Sequence, residues 1–208
     1  MLNDVLKRLM DVVGAGIGLV ALSPVLAAVA VAIKVTMGGP IFFRQNRPGR
    51  DGTPFVLIKF RTMRPPAIGE EPIGNDEGRI TPVGKFLRDL SLDELPTLIN
   101  VLRGEMSLVG PRPLLMRYLE RYSDEQLRRH DVRPGITGWA QINGRNDLEW
   151  NEKLSLDVWY VDHQSLWLDV KILVLTVAKV VLREGISQQG HVTMPEFMGS
   201  EDEEAQAA

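Results

Sequence analysis

The chain contains no cysteine, which excludes disulfides, thiolate metal sites and cysteine nucleophiles and fits a reducing compartment. It also lacks a strong charge of either sign. With 24 Lys and Arg against 27 Asp and Glu, the net charge is −3, so no global field favours nucleic acid. No internal repeat is visible. A length of 208 residues, 44% hydrophobic and 25% charged, suits one ordinary domain with a core and is short for two. The acidic run Glu201-Asp202-Glu203-Glu204 at the end leaves the rest of the chain more neutral or basic.

Charge is missing altogether from Val12 to Ile33. As one α-helix this stretch would measure about 33 Å, enough to cross the hydrocarbon core of a bilayer. A cleavable signal peptide, a simple spanning helix and a helix that enters the membrane, breaks and returns are the three readings. The apolar run is long for a signal peptide. Ser23-Pro24 favours the broken helix: Pro24 cannot donate to the carbonyl of Val20, and the Ser23 hydroxyl can bond a freed carbonyl one turn back. Lys7 and Arg8 precede the segment, and Lys34, Arg44, Arg47 and Arg50 follow it. Positive charge on both flanks is expected when both ends face the cytoplasm.

Beyond this segment, Pro40–Phe43 and Pro54–Phe60 read as strands of a β-hairpin around the turn cluster Arg47-Pro48-Gly49-Arg50-Asp51-Gly52. Residues 64 to 79 read as a loop rich in proline and glycine. Short helices are predicted from Thr81 to about Arg88 and from about Leu95 to Leu102, the second stopped at Arg103-Gly104. Leu114 to His130 has helical spacing, and the stretch from Arg133 to Gly138 reads as loop. Two helices follow, about Trp150 to His163 and Leu168 to Arg183, and the tail beyond about Met194 reads as disordered. Trp139, Trp150, Trp159 and Trp167, with Lys153, Tyr160, Lys171, Lys179 and Arg183, suit either core packing or amphipathic helices seated at a membrane surface.

The sharpest chemical signal is the pair Asp93-Glu94 in Ser91-Leu92-Asp93-Glu94-Leu95-Pro96, flanked by Lys85, Arg88, Arg103 and Arg112. Adjacent carboxylates among cations suggest a site that holds a metal ion and handles an anionic substrate. A Ser91–Glu94 capping box is the structural alternative, and Pro96 argues against it. With Asp93 as the cap, Pro96 falls in the first turn, where no donor is required. Asp93 then sits at the positive end of a helix, which favours its ionised form and suits a nucleophile for phosphorus. Arg112, held between Pro111 and Pro113, is a plausible bidentate phosphate ligand.

These blocks together resemble the small bacterial sugar transferases, monotopic phosphoglycosyl transferases that start glycan assembly on polyprenol phosphate. The resemblance runs from about Leu6 to Arg183. It rests on the Ser-Pro break, Lys59-Phe60-Arg61-Thr62-Met63, Arg88 with Ser91 to Pro96, Gly110-Pro111-Arg112-Pro113, Arg133 to Gly138, and Gln141-Ile142-Asn143-Gly144-Arg145. It implies an α+β, mostly helical, membrane-associated domain that looks like the minimal catalytic form. The expected divisions are a re-entrant helix over 1–36, a cytoplasmic catalytic domain over 37–195 and an acidic tail over 196–208.

The resemblance also implies the reaction. Asp93 attacks a UDP-sugar, UMP leaves, and polyprenyl (undecaprenyl) phosphate takes the phosphosugar from the aspartate. Glu94 is implied to help bind Mg²⁺ with Asp93 or to assist proton handling. Lys59, Arg88, Arg112 and Arg145 are implied as phosphate contacts, and Asp157 as a further polar site residue. The implied location is the cytoplasmic face of the bacterial inner membrane, in contact with membrane lipid and with both termini in the cytoplasm. A polyprenyl diphosphate phosphatase and a membrane scaffold are the rival readings. The sequence leaves open the sugar and homo-oligomerisation.

Overall fold

In the computed structural model, which describes residues 2–65, 76–144, 148–182 and 196–199, the apolar segment breaks where Pro24 requires it. Helix α1 (Leu2–Ala21) and helix α2 (Ser23–Met37) meet at a bend of 62°. The Ser23 hydroxyl donates to the Val20 carbonyl at 2.8 Å, the acceptor that Pro24 leaves without a backbone donor. The ladder resumes on either side, Leu22 N–H to Gly18 and Leu26 N–H to Leu22, both 2.9 Å. Among the described residues no single helix is long and apolar enough to cross a membrane; the bent pair reaches that length and apolar composition only when its two helices are taken together.

The two sides of α1 differ. Val5, Leu9, Val12, Val13, Ile17 and Val20 are exposed, whereas Ala15 is buried with Phe55, Leu57, Leu98, Val101 and Met106. Polar residues near its start grip the rest of the fold. Lys7 reaches Asp169 (2.7 Å), Arg8 takes the carbonyls of Val101 and Leu102, and Asp11 accepts from Ser107 and the Leu108 N–H. Helix α1 therefore contributes to the same core as the hairpin and residues 98–106.

Strands β1 (Phe42–Pro48) and β2 (Pro54–Phe60) form the expected antiparallel hairpin, in register from Phe42 opposite Phe60 to Pro48 opposite Pro54. The first strand is longer than the sequence suggests. Pairing continues through Arg44 to Pro48, and the turn is confined to Gly49–Thr53, with Asp51 and Gly52 at positive φ. At the open end of the hairpin, Arg61 donates to the carbonyls of Met37, Gly38 and Gly39 (2.6–2.9 Å). It thereby satisfies the last carbonyls of α2 and fixes that helix to the strand end.

Thr81 caps the helix Pro82–Asp89 by accepting from the Gly84 N–H at 2.9 Å. A Cβ at Gly84 would lie 1.8 Å from the Thr62 carbonyl oxygen, so glycine lets this helix seat against the end of β2. Next comes a 3-10 turn, Leu92–Thr97, running into the helix Leu98–Arg103, which Gly104 ends in the left-handed conformation.

Three sequence expectations need correction. The stretch read as loop contains a strand: β3 (Ser107–Val109) pairs in parallel with β4 (Gly135–Thr137). This is possible because Gly110 and Gly135 pass so closely that a Cβ on Gly135 would lie 2.1 Å from the Gly110 nitrogen. Leu114–His130 is not one helix but short pieces, Met116–Arg121, Asp124–Leu127 and Arg128–His130. Ser123 forms a capping box with Gln126 that restarts the chain. The tail is ordered where described: Phe197 is fully buried against Tyr118, Tyr122 and Trp150, and Glu196 pairs with Arg117 and Arg121. Its large aromatic side chain outweighs the polar composition around it, since burying such a group contributes about 1.5–3 kcal/mol.

Helices Trp150–His163 and Leu166–Leu182 close the fold. The tryptophans divide. Trp150 is core, Trp139 and Trp159 stack at 4.8 Å, and Trp167 is 77% exposed on a helix that also shows Val170, Val174 and Val177 to the outside.

Candidate active site

The acid pair lies on the 3-10 turn Leu92–Thr97, packed against β2. Ser91 adopts the left-handed conformation (φ 55°), and its side chain caps nothing, so the capping box is not formed. Asp93 is not itself the cap, as the sequence suggests, but the second residue of the turn. Pro96 is accommodated because the turn is 3-10 there and the α-helix begins only at Leu98.

The two carboxylates have opposite surroundings. Glu94 is gripped on both oxygens. Lys59 donates to Oε1 at 2.6 Å, Arg112 Nη1 donates to Oε2 at 3.3 Å, and Arg112 Nη2 donates to Oε1. Burial works to raise the Glu94 carboxyl, but Arg112 and Lys59 outweigh it and hold it well below the usual carboxylate range. The Asp93 carboxylate, half-buried, accepts no hydrogen bond and forms no ion pair among the described residues. Burial, then the charge of Glu94, raises its pKa to about 6, while Lys59, Arg88 and Arg112 pull it down. One acid thus organises the cations and its neighbour is left free.

The cations arrive from separate elements. Lys59 comes from β2, and burial lowers its pKa. Arg88, from the helix Pro82–Asp89, is steered by a 3.0 Å bond from Nε to the Thr62 hydroxyl. Arg112 follows β3 and is fixed from behind by Arg129, whose Nη2 donates to the Arg112 carbonyl at 2.8 Å.

Asp157 lies in this supporting layer and does not meet the acid pair. It is buried and paired with Arg129 through Nε (3.2 Å) and Nη2 (2.6 Å). Arg145 lies outside the described residues. Ser23 and Pro24 make the helix break in the bend of α1 and α2.

The sequence assigns no individual role in the site to Arg129, Thr62 or Arg47, and Lys153 reads there only as a core or membrane-surface residue. Arg129 sits in the run Arg128-Arg129-His130 and looks like a solvated helix face. Only the tertiary arrangement buries it, and no local pattern carries that information.

As for a metal, the described residues contain no cluster of three or more acidic or histidine side chains that could hold one. Mg²⁺ commonly takes only one or two carboxylates, keeps waters and draws its other ligands from substrate phosphates. The free oxygens of Asp93 fit that pattern, and Glu94 fits it only by sharing oxygens already taken by Lys59 and Arg112.

An unpartnered carboxylate ringed by cations, on a turn packed against the hairpin, is an arrangement suited to anionic groups. The chain belongs to the bacterial sugar transferase family, whose model matches residues 2–183. It is 52% identical over 198 residues to the uncharacterized sugar transferase EpsL of Bacillus subtilis, covering 95% of this chain and 98% of that one. It is 46% identical over 188 residues to the UDP-glucose:undecaprenyl-phosphate glucose-1-phosphate transferase of Escherichia coli, and 42% identical over 193 residues to the galactosyl transferase CpsE of Streptococcus agalactiae. It spans only 40% and 43% of the length of those two proteins.

Proposed function

We propose that this protein transfers a phosphosugar from a UDP-sugar to polyprenyl phosphate at the surface of the bacterial inner membrane. The observation that carries the reading is the division of labour in the acid pair: Glu94 holds Lys59 and Arg112 in place, and Asp93 is left unpaired beside them. The names of the relatives, all three called transferases of a sugar or sugar phosphate, support the substrate class.

In this reading an oxygen of Asp93 attacks the phosphorus that bears the sugar. The bond from that phosphorus to the bridging oxygen breaks, and UMP departs with the electron pair. A phosphate oxygen of the lipid then attacks the same phosphorus and releases the Asp93 carboxylate, giving polyprenyl diphosphosugar. Lys59, Arg88 and Arg112 orient the phosphates and offset charge that builds on their oxygens. Arg145 is retained as a further phosphate contact. Glu94 keeps Lys59 and Arg112 aimed. Mg²⁺, held by Asp93 and by Glu94 where it can share an oxygen, would offset diphosphate charge and improve the leaving group.

The exposed apolar sides of α1 and α2 and the bend at Pro24 support a re-entrant membrane helix with both termini cytoplasmic. Trp167 and the exposed valines of the last helix support contact with lipid as well. Arg61, which ties the end of α2 to the strand that carries Lys59, would hold the site at the height where a lipid phosphate and a soluble nucleotide meet. The test is to present the full chain, in lipid nanodiscs, with undecaprenyl phosphate and a panel of UDP-sugars. UMP release and a lipid diphosphosugar that both require the UDP-sugar support the reading. Phosphate release from polyprenyl diphosphate without any nucleotide would replace it with a phosphatase.

A further inference from the structure

Arg47 is a cation of the site that the acid pair does not account for. On the hairpin, side chains alternate between faces. Arg47 and its cross-strand partner Phe55 therefore share a face with the pair Phe43 and Lys59. This face carries Lys59 to Glu94. Arg47 reaches the segment next to Arg112, where Nη1 donates to the Pro113 carbonyl at 3.4 Å, and Nη2 is held by Gln45 Oε1 at 2.7 Å. No carboxylate pairs with it among the described residues, and its Nε is buried without an acceptor.

Its charged neighbours increase the surplus. Burial, then the charge of Arg112, lowers the Arg47 pKa to about 10, and Tyr118, Tyr122 and Glu94 pull the other way. Lys153, buried and over the Trp150 ring, also feels Arg112, with Asp157 opposing. Glu94 is already divided between Lys59 and Arg112, and Asp157 is committed to Arg129. Arg47 reaches the Pro113 carbonyl beside Arg112 and feels its charge. With Glu94 shared by Lys59 and Arg112, the group of cations has too few carboxylates, which a phosphate group would supply.

Position along the hairpin says which phosphate. The open end of the hairpin is fixed to α2 by Arg61, and Arg88 is steered by Thr62 at that same end. Arg47 lies four positions beyond Phe43 along β1, about 14 Å further from α2 at the usual rise of a strand. The cations thus run from Arg88, next to the end of the apolar helix pair, through Lys59 and Arg112 to Arg47. An acceptor phosphate on a lipid enters from the Arg88 end, and the opposite end is left for the water-soluble donor.

We infer that Arg47 and Arg112 together form the subsite for the nucleotide-side phosphate of the donor, the phosphate that departs in UMP. This rests on the proposed transfer reaction and deepens it by assigning the two ends of the cation row to two phosphates.

The test uses the full chain in nanodiscs, with wild type, Arg47→Gln and Arg47→Lys compared. UMP affinity is measured by calorimetry, and KM is measured separately for the UDP-sugar and for undecaprenyl phosphate. Loss of a charge-assisted contact predicts that Arg47→Gln weakens UMP binding about tenfold and raises the donor KM by a similar factor. The acceptor KM stays unchanged, and Arg47→Lys recovers part of the loss. A raised acceptor KM with unchanged UMP affinity would place the lipid phosphate at Arg47 and overturn the inference. Unchanged binding of both substrates would also overturn it, leaving Arg47 a structural residue. If wild type releases no UMP from any UDP-sugar, the transfer reading itself fails, a result distinct from an active enzyme indifferent to Arg47.

Discussion

Arg129 donates from Nη2 to the backbone carbonyl of Arg112 at 2.8 Å while the same nitrogen holds Asp157 at 2.6 Å. A fully buried ion pair is thereby coupled to the backbone of the residue that grips Glu94. Removing one member alone strands a buried charge. Arg129→Met should cost about 3–5 kcal/mol of stability, read as a lowered denaturation midpoint. The double variant Arg129→Met with Asp157→Leu removes both charges and should recover much of that stability. It should still turn over about tenfold or more slowly, because the Arg112 carbonyl has lost its donor and the guanidinium its aim. Stability and turnover recovering together would show that the pair only supports the fold.

The ionisation of Asp93 gives a pH signature. Its pKa is raised to about 6 by burial and by Glu94, and the proposed attack requires the ionised form. Donor cleavage, measured as UMP released in a single turnover, should rise as pH passes through about 6 and level off above it. In Glu94→Gln the neighbouring negative charge is gone, and Lys59 and Arg112 are released towards Asp93. The acid limb should move to lower pH even though the plateau falls. A limb that stays in place would mean that another group titrates.

The same shift has a consequence for stability. The folded pKa of Asp93 lies above its ordinary value of 3.8. Its favourable contribution is therefore complete below about pH 4 and is lost as pH rises through about 6. Above that the ionised group destabilises the fold, by about 1–2 kcal/mol after allowing for partial exposure. Asp93→Asn should abolish transfer and melt higher than wild type at pH 8, and the advantage should disappear by about pH 4. Equal melting temperatures at pH 8 would contradict the placement of Asp93.

Much of this was legible in the sequence where a local rule applied. Pro24 removes a donor and Ser23 supplies one, so the break could be read from two letters. The apolar run Pro54–Phe60 beside its turn cluster and the stop at Gly104 were equally plain. Where long-range contacts decide, the sequence misled or was silent. Asp157, which the resemblance implies as a polar site residue, is buried against Arg129, a pairing that no local pattern shows. Residues 135–137 pair as a strand only because Gly110 lies against them. Phe197 folds back from a polar tail onto Tyr122 (5.5 Å between ring centroids), a contact that no local pattern encodes.

The helix break can be tested on its own. Pro24→Ala restores a donor for Val20 and relieves the steric cause of the bend, so the pair should straighten into one helix. Reporter tags before Met1 and after Ala208 should both read cytoplasmic in wild type and should read opposite sides in a substantial fraction of the variant. Ser23→Ala removes only the hydroxyl bond and should cost about 1 kcal/mol without changing sidedness. Opposite sides already in wild type would rule out the re-entrant helix.

Covalent carriage of the phosphosugar by Asp93, the step on which the proposed transfer depends, can be read by peptide mass spectrometry. The full chain is incubated with its UDP-sugar and no lipid acceptor, quenched in acid and digested. One equivalent of UMP should be released, and a phosphosugar adduct should appear on the peptide containing Asp93. The adduct should be absent from Asp93→Asn and lost from wild type when undecaprenyl phosphate is added. UMP released only when the lipid phosphate is present, with no adduct on that peptide under either condition, would contradict covalent carriage.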